Sequence, residues 1–317
     1  MVNSLNLWDE YSYYLLDHQK NTTSIWSGPD NETTFNKVQK NKDISTYSID
    51  DFRYVRNSKE FRSAEFDNST PIKILYAGCS LTEGVGLPMD HTWCGFINDK
   101  ISKQLNRPVQ MFNIGLGGFS TSSIVRFTKI TIDSGFTPDL VLFLLPSVVR
   151  SEHLHLTKYG LEVVNFIPSF TPDDPEQRSF FKRIQNCSSI HDSIRSFFSD
   201  LIFIDTYLGA KGIPYYFGIW DNCEVELSKT DVISLMEAIK SHSPTQVREK
   251  FIDSSMHFDH NHFMLNGFLK PFKYNFARDG QHFGPNSHFN FSNDFYSKLL
   301  NKSSFDTLIN TWKTLNK

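Results

Sequence analysis

From Ile72 to Trp220 the chain alternates short apolar runs with longer stretches in which apolar residues return every three or four positions. The runs are IKILYAG (72–78), VQMFNIG (109–115), PDLVLFLLP (138–146) and IPYYFGIW (213–220). Apolar runs this short predict strands, and strands without polar alternation are those covered on both faces, as in a parallel sheet. After the first run, Trp93, Phe96, Ile97, Ile101 and Leu105 share one face of a helix. Residues 120–134 and 180–211 are expected to supply the next crossover helices. Strand and helix in alternation read as βαβ units, so the fold class is α/β with a mainly parallel sheet. Residues 1 to about 70 lack this rhythm, being polar and aromatic without sustained periodicity, and are expected to form an N-terminal arm.

Composition changes this picture little. A chain of 317 residues, 39% hydrophobic and 15% aromatic, can build a full core. Lys plus Arg number 32 against 35 Asp plus Glu, with neither sign gathered into a block, so nucleic acid is not an expected partner. The first twenty residues, MVNSLNLWDEYSYYLLDHQK, carry no basic start followed by an apolar stretch, and no run approaches the ~18 apolar residues of a membrane span. The expectation is a protein without signal peptide or membrane span, cytoplasmic or virion-associated. Cys79, Cys94, Cys187 and Cys223 show neither CxxC nor zinc-type spacing, which points to a reducing compartment. The Asn-x-Ser/Thr sequons read as a by-product of an Asn- and Ser-rich composition.

Candidate chemistry begins where the first run ends, in GCSLTEG (78–84). Ligands of an open parallel sheet bind outside the carboxyl ends of its strands, which is where Ser80 stands. Ser80 is either a nucleophile or the cap of the following helix. The next run closes on NIGLGGFST (113–121), where glycine lets a ligand approach the backbone and an N–H can face an oxyanion. Neither a dinucleotide fingerprint nor a Walker loop fits that spacing. A serine nucleophile needs a base and an orienting acid. Asp279 and His282 lie three residues apart in DGQHFGP (279–285), either as that pair or as a turn with a solvated acid and a capping histidine. His257, Asp259, His260 and His262 lack regular metal-ligand spacing, so they read as a substrate rim and no metal is expected. His288, six residues after His282, reads as a packing residue.

Taken together, these blocks resemble the SGNH or GDSL hydrolases, esterases and lipases of flavodoxin-like three-layer α/β/α fold. The resemblance spans roughly residues 72–302. It implies Ser80 as nucleophile, His282 as general base, Asp279 as its orienting acid, and the N–H groups of Ser80 and Gly118 as oxyanion donors. The segment SKEFRSAEF (58–66) and the GCS form of the first block are similar to phage-borne or environmental members. Cys79 stands where the family has aspartate. In LFLLPSVVRSE (142–152), Val148 or a neighbour stands where the family has an oxyanion-binding asparagine, leaving Ser147 and Arg150 as substitute donors. For Arg150 a surface pair with Glu152 is the alternative. The implied protein is a 71–317 hydrolase domain with an insertion around 240–275, cleaving a small-molecule or carbohydrate ester without a cofactor. The alternative is a catalytically weakened binding or assembly module whose partner is met through the N-terminal arm.

Overall fold

The computed structural model describes residues 20–39, 47–70, 72–157, 160–167, 170–187, 189–219, 245–253 and 276–314. An antiparallel pair, β1 (Thr23–Ser24) with β2 (Tyr54–Val55), brackets a helix, α1 (Glu32–Gln39). The chain continues through β3 (Lys73–Gly78), the single-turn α2 (Ser80–Glu83), α3 (Trp93–Leu105), β4 (Gln110–Asn113), α4 (Thr121–Asp133) and β5 (Leu140–Leu145). A hairpin, β6 (Ser151–Thr157) with β7 (Gly160–Phe166), and two helices, α5 (Pro175–Cys187) and α6 (Ile190–Lys211), lead to β8 (Tyr215–Ile219). The last elements are α7 (Thr245–Lys250), α8 (Pro285–Leu300) and α9 (Ser303–Thr314).

Strands β4, β3, β5 and β8 form, in that order, one parallel sheet, with Leu75 opposite Phe112, Tyr76 opposite Leu142 and Leu142 opposite Tyr216. The chain runs from β3 outward to β4, then returns past β3 to β5. That reversal is the switch point of a doubly wound fold, where the loops leaving adjacent strands part and open a crevice. Two helical groups cover the sheet: α3 packs with α8 and α9, and α4 packs with α6. Strands β3, β5 and β8 are buried at every residue, which is why their sequences are apolar without alternation. Trp93 of α3 joins the layers, packing edge-on against Tyr76 of β3 and Phe291 of α8.

All four apolar runs form the strands expected of them, and α3 and α4 form where the helical spacing placed them. Residues 180–211, expected to supply crossover helix, hold the end of α5 and all of α6. The Ser189 hydroxyl accepts the Asp192 N–H and starts α6 afresh, since serine before a helix satisfies one of the first N–H groups, which have no carbonyl a turn earlier to bond. The hairpin after β5 was not expected, and its pattern gives little sign of it: in SEHLHLT Leu154 is exposed while His155 is buried, and GLEVVNF sets Val163 beside Val164. Most of the proposed insertion around 240–275, with His257, Asp259, His260 and His262, lies outside the described residues, as does Cys223.

Candidate active site

The site is built at the carboxyl end of β3. A Cβ on Gly78 would lie 2.0 Å from Thr82 Oγ1 and 2.8 Å from Leu144 O, so only glycine lets the chain turn here. Ser80 then opens α2, which Gly84 ends after one turn in the left-handed conformation, φ +76°. Ser80 is largely buried, at 8% exposure. Asn113, at the end of β4, ties the neighbouring loop to this turn: its Nδ2 donates to Thr82 O at 2.6 Å and its Oδ1 accepts the Gly115 N–H at 2.6 Å. The loop continues to Gly118, whose φ of +84° favours glycine. Among the described residues the backbone N–H groups of Ser80 and Gly118 make no hydrogen bond. The hydroxyl of Ser80 likewise makes none among those residues, so Ser80 and His282 are not directly bonded.

Asp279 and His282 meet on one loop, as their spacing suggested. Asp279 Oδ2 lies 2.6 Å from His282 Nδ1, while Oδ1 accepts the N–H groups of Gln281 at 3.1 Å and His282 at 3.0 Å. Asp279 is fully buried. Burial by itself would raise its carboxyl, but His282 beside it and the two N–H groups hold it below the usual carboxylate range. For His282 burial disfavours the imidazolium, yet the Asp279 charge and hydrogen bond outweigh this and raise the imidazole above its ordinary value. Glu83 pushes it in the same direction, and Arg150 opposes.

This loop is seated on the serine turn. The Arg278 N–H donates to Gly86 O at 2.8 Å, and a Cβ on Gly86, whose φ is +76°, would stand 2.7 Å from the Ala277 Cβ. From below, the N-terminal segment grips the same loop. Arg278 and Asp30, both fully buried, pair at 2.6 Å, and Arg278 also donates to Ile25 O and lies over the rings of Phe52 and Trp26. Tyr54 donates its hydroxyl proton to Asp30 at 2.6 Å and accepts the Gly86 N–H at 2.7 Å. A second buried pair joins Arg56 to Glu83 at 2.6 Å. Sequence reasoning singled out none of Asp30, Tyr54, Arg56, Glu83 or Arg278. The one available signal was Arg278 itself, a cation in an apolar context next to the candidate acid.

The remaining candidates are placed as follows. Ser147 is fully buried and its carbonyl accepts the Arg150 N–H at 3.1 Å in the turn after β5. Val148 is buried too. Glu152, the alternative partner of Arg150, is held by Arg126 and by the Ser123 hydroxyl. His288 is a packing residue within α8: it is buried, and its Nδ1 accepts the Trp93 N–H at 3.0 Å. Among the described residues no group of three or more side chains could hold a metal ion. No helix among them is long and apolar enough to cross a membrane.

No family model and no curated protein matches the chain. Among solved structures it is similar to TesA, at 10% identity over 72% of this chain and 97% of that one, with a TM-score of 0.44. It is also similar to the lipase Lip_vut3 from a goat rumen metagenome, at 12% identity over 72% and 97% of the two chains, TM-score 0.44. A member of the lipolytic G-D-S-L family from Veillonella parvula gives 12% identity over 74% and 98%, TM-score 0.40.

Proposed function

We propose that the protein is a serine ester hydrolase that cleaves an acyl group, such as acetyl, from a carbohydrate or other small alcohol. One observation carries this reading: an acid–imidazole pair on a loop hydrogen-bonded to Gly86, in the same turn that Ser80 opens. In this reaction Ser80 Oγ attacks the acyl carbon and His282 Nε2 takes the hydroxyl proton, later giving it to the leaving alkoxide. A water molecule, deprotonated by the same nitrogen, then releases the acid and restores the serine. Asp279 holds the proton of His282 on Nδ1, which leaves Nε2 free to act as base. The N–H groups of Ser80 and Gly118 face the developing oxyanion, and Arg150 brings a cation to the same end of the sheet, with Ser147 the other candidate donor. The bond from Ser80 to His282 closes when substrate is bound, as catalytic hydrogen bonds commonly tighten only in the Michaelis complex.

The test is labelling with a fluorophosphonate together with turnover of p-nitrophenyl esters from acetyl to octanoyl. Ser80 is expected to carry the label, Ser80→Ala to lose at least about 10³-fold in kcat/KM, and His282→Ala to abolish labelling. The burial of Val148 at the place of an oxyanion-binding side chain favours the second reading, a binding or assembly module. Wild-type protein that neither labels nor turns over any of these esters would establish that reading instead.

A further inference from the structure

Among the buried charges around the site, one acid stands beside Ser80 with no part in the proposed chemistry. Glu83 closes α2 three residues after Ser80, is only 2% exposed, and uses both carboxylate oxygens. Oε1 accepts from Arg56 Nη2 at 2.6 Å and from the Ser27 hydroxyl at 2.9 Å, both in the N-terminal segment. Oε2 accepts the Gly117 N–H at 2.7 Å. Gly117 precedes the proposed oxyanion donor Gly118, and a Cβ built on it would lie 3.9 Å from the Ser80 Cβ. A charged acceptor on a backbone N–H makes one of the stronger hydrogen bonds available to a loop. Here its acceptor is itself immobilised from the opposite side by a guanidinium.

We propose that Glu83 is a positioning residue: clamped by Arg56 and Ser27, it holds the Gly117–Gly118 turn against Ser80 so that the Gly118 N–H faces the oxyanion. The inference rests on the esterase reading for its catalytic consequence, but the hold itself is a property of the resting protein. The carboxylate has a second effect, through charge. The charged groups acting on His282 are Asp279 on its own loop, Glu83 from the serine turn and Arg150 from the turn after β5, while His288 of α8 is itself kept neutral by burial. Of the two acids, Glu83 is the one that does not touch the ring through a hydrogen bond. Its charge therefore favours the imidazolium that forms as Ser80 attacks, without competing for Nδ1.

The experiment compares Glu83→Ala and Glu83→Gln in the full chain. In Glu83→Ala the Gly117 amide is expected to exchange about ten- to a hundredfold faster than in wild type, while amides of β3 and β5 keep their protection. With p-nitrophenyl acetate, kcat is expected to fall about tenfold or more at nearly unchanged KM, as for a donor that acts mainly in the transition state. Glu83→Gln, which retains an acceptor for Gly117, is expected to recover most of the exchange protection and most of kcat. The His282 titration midpoint, followed by NMR, should drop in both variants, a shift that a merely structural role would not produce. Should Arg56, left unpaired, unfold the single variants, Arg56→Gln with Glu83→Gln keeps the core neutral and gives the same midpoint reading. Unchanged Gly117 exchange in Glu83→Ala, or a His282 midpoint unmoved in every folded variant, overturns the proposal. A wild-type protein inert to every ester would sink the esterase reading alone, because the exchange and titration results stand without turnover.

Discussion

His282 is raised above the ordinary imidazole value of 6.5, chiefly because the Asp279 charge outweighs the cost of burying the cation. In the proposed mechanism His282 must be neutral to accept the serine proton, so activity would need pH above that raised value. The acid limb of kcat/KM is therefore expected above pH 6.5, and Asp279→Asn is expected to move the limb down while lowering the rate by ~10⁴-fold, because the amide presents the wrong tautomer to Nε2. A pH–rate profile of both proteins checks this; a limb at or below 6.5 in wild type would contradict it. For stability the sign is the reverse. The protonated pair stabilises the fold fully below the unfolded histidine value and loses that contribution as pH rises through the folded one. At this scale the sequence was informative about Asp279 and His282, because three residues within one loop determine whether two side chains can meet. It was silent about Glu83, whose partners are 27, 34 and 56 positions away.

Two elements are held in place by single buried polar residues. The loop carrying Asp279 is anchored through Arg278 to Asp30, with Tyr54 bridging Asp30 and Gly86. Replacing Asp30 by Ala would leave the guanidinium buried and uncompensated, so a loss of about 3–5 kcal/mol is expected in denaturant unfolding. Asp30→Asn, which keeps an acceptor, should lose less. A cost below about 1 kcal/mol for the Ala variant would show that Arg278 finds water or another acceptor. Helix α8 is fixed to α3 by His288 in a comparable way. Burial pushes His288 down to about 3, so it stays neutral at the pH values where the enzyme would work and serves only to accept the Trp93 N–H. Its packing role was legible from its position inside the helix that follows the Asp279–His282 loop. The N-terminal grip was not, since β1, β2 and α1 are short and their neighbours are polar residues whose burial depends on distant partners.

At the scale of the molecule, the buried pairs Asp30–Arg278 and Arg56–Glu83 join the N-terminal segment to the sheet's carboxyl edge. Segment and site are thereby expected to unfold together. Tryptophan fluorescence, to which Trp26 contributes from against Arg278, should have the same urea midpoint as loss of fluorophosphonate labelling at Ser80. Labelling lost at clearly lower urea than the fluorescence change would show the site opening before the fold. By itself the sequence determined the four strands, the helices α3 and α4, the address of Ser80 and the local Asp279–His282 pair. Each of these is written in spacing along the chain, because burying one face of an element or closing one loop constrains residues that are near neighbours. Only the tertiary structure decided that the hairpin inserts after β5, that α5 and α6 are separate, and that Asp30, Arg56 and Glu83 belong to the site's support. A buried charge is stabilised by whichever opposite charge the folded chain brings to it, and a pairing across 27 or 248 residues leaves no periodic trace in the sequence.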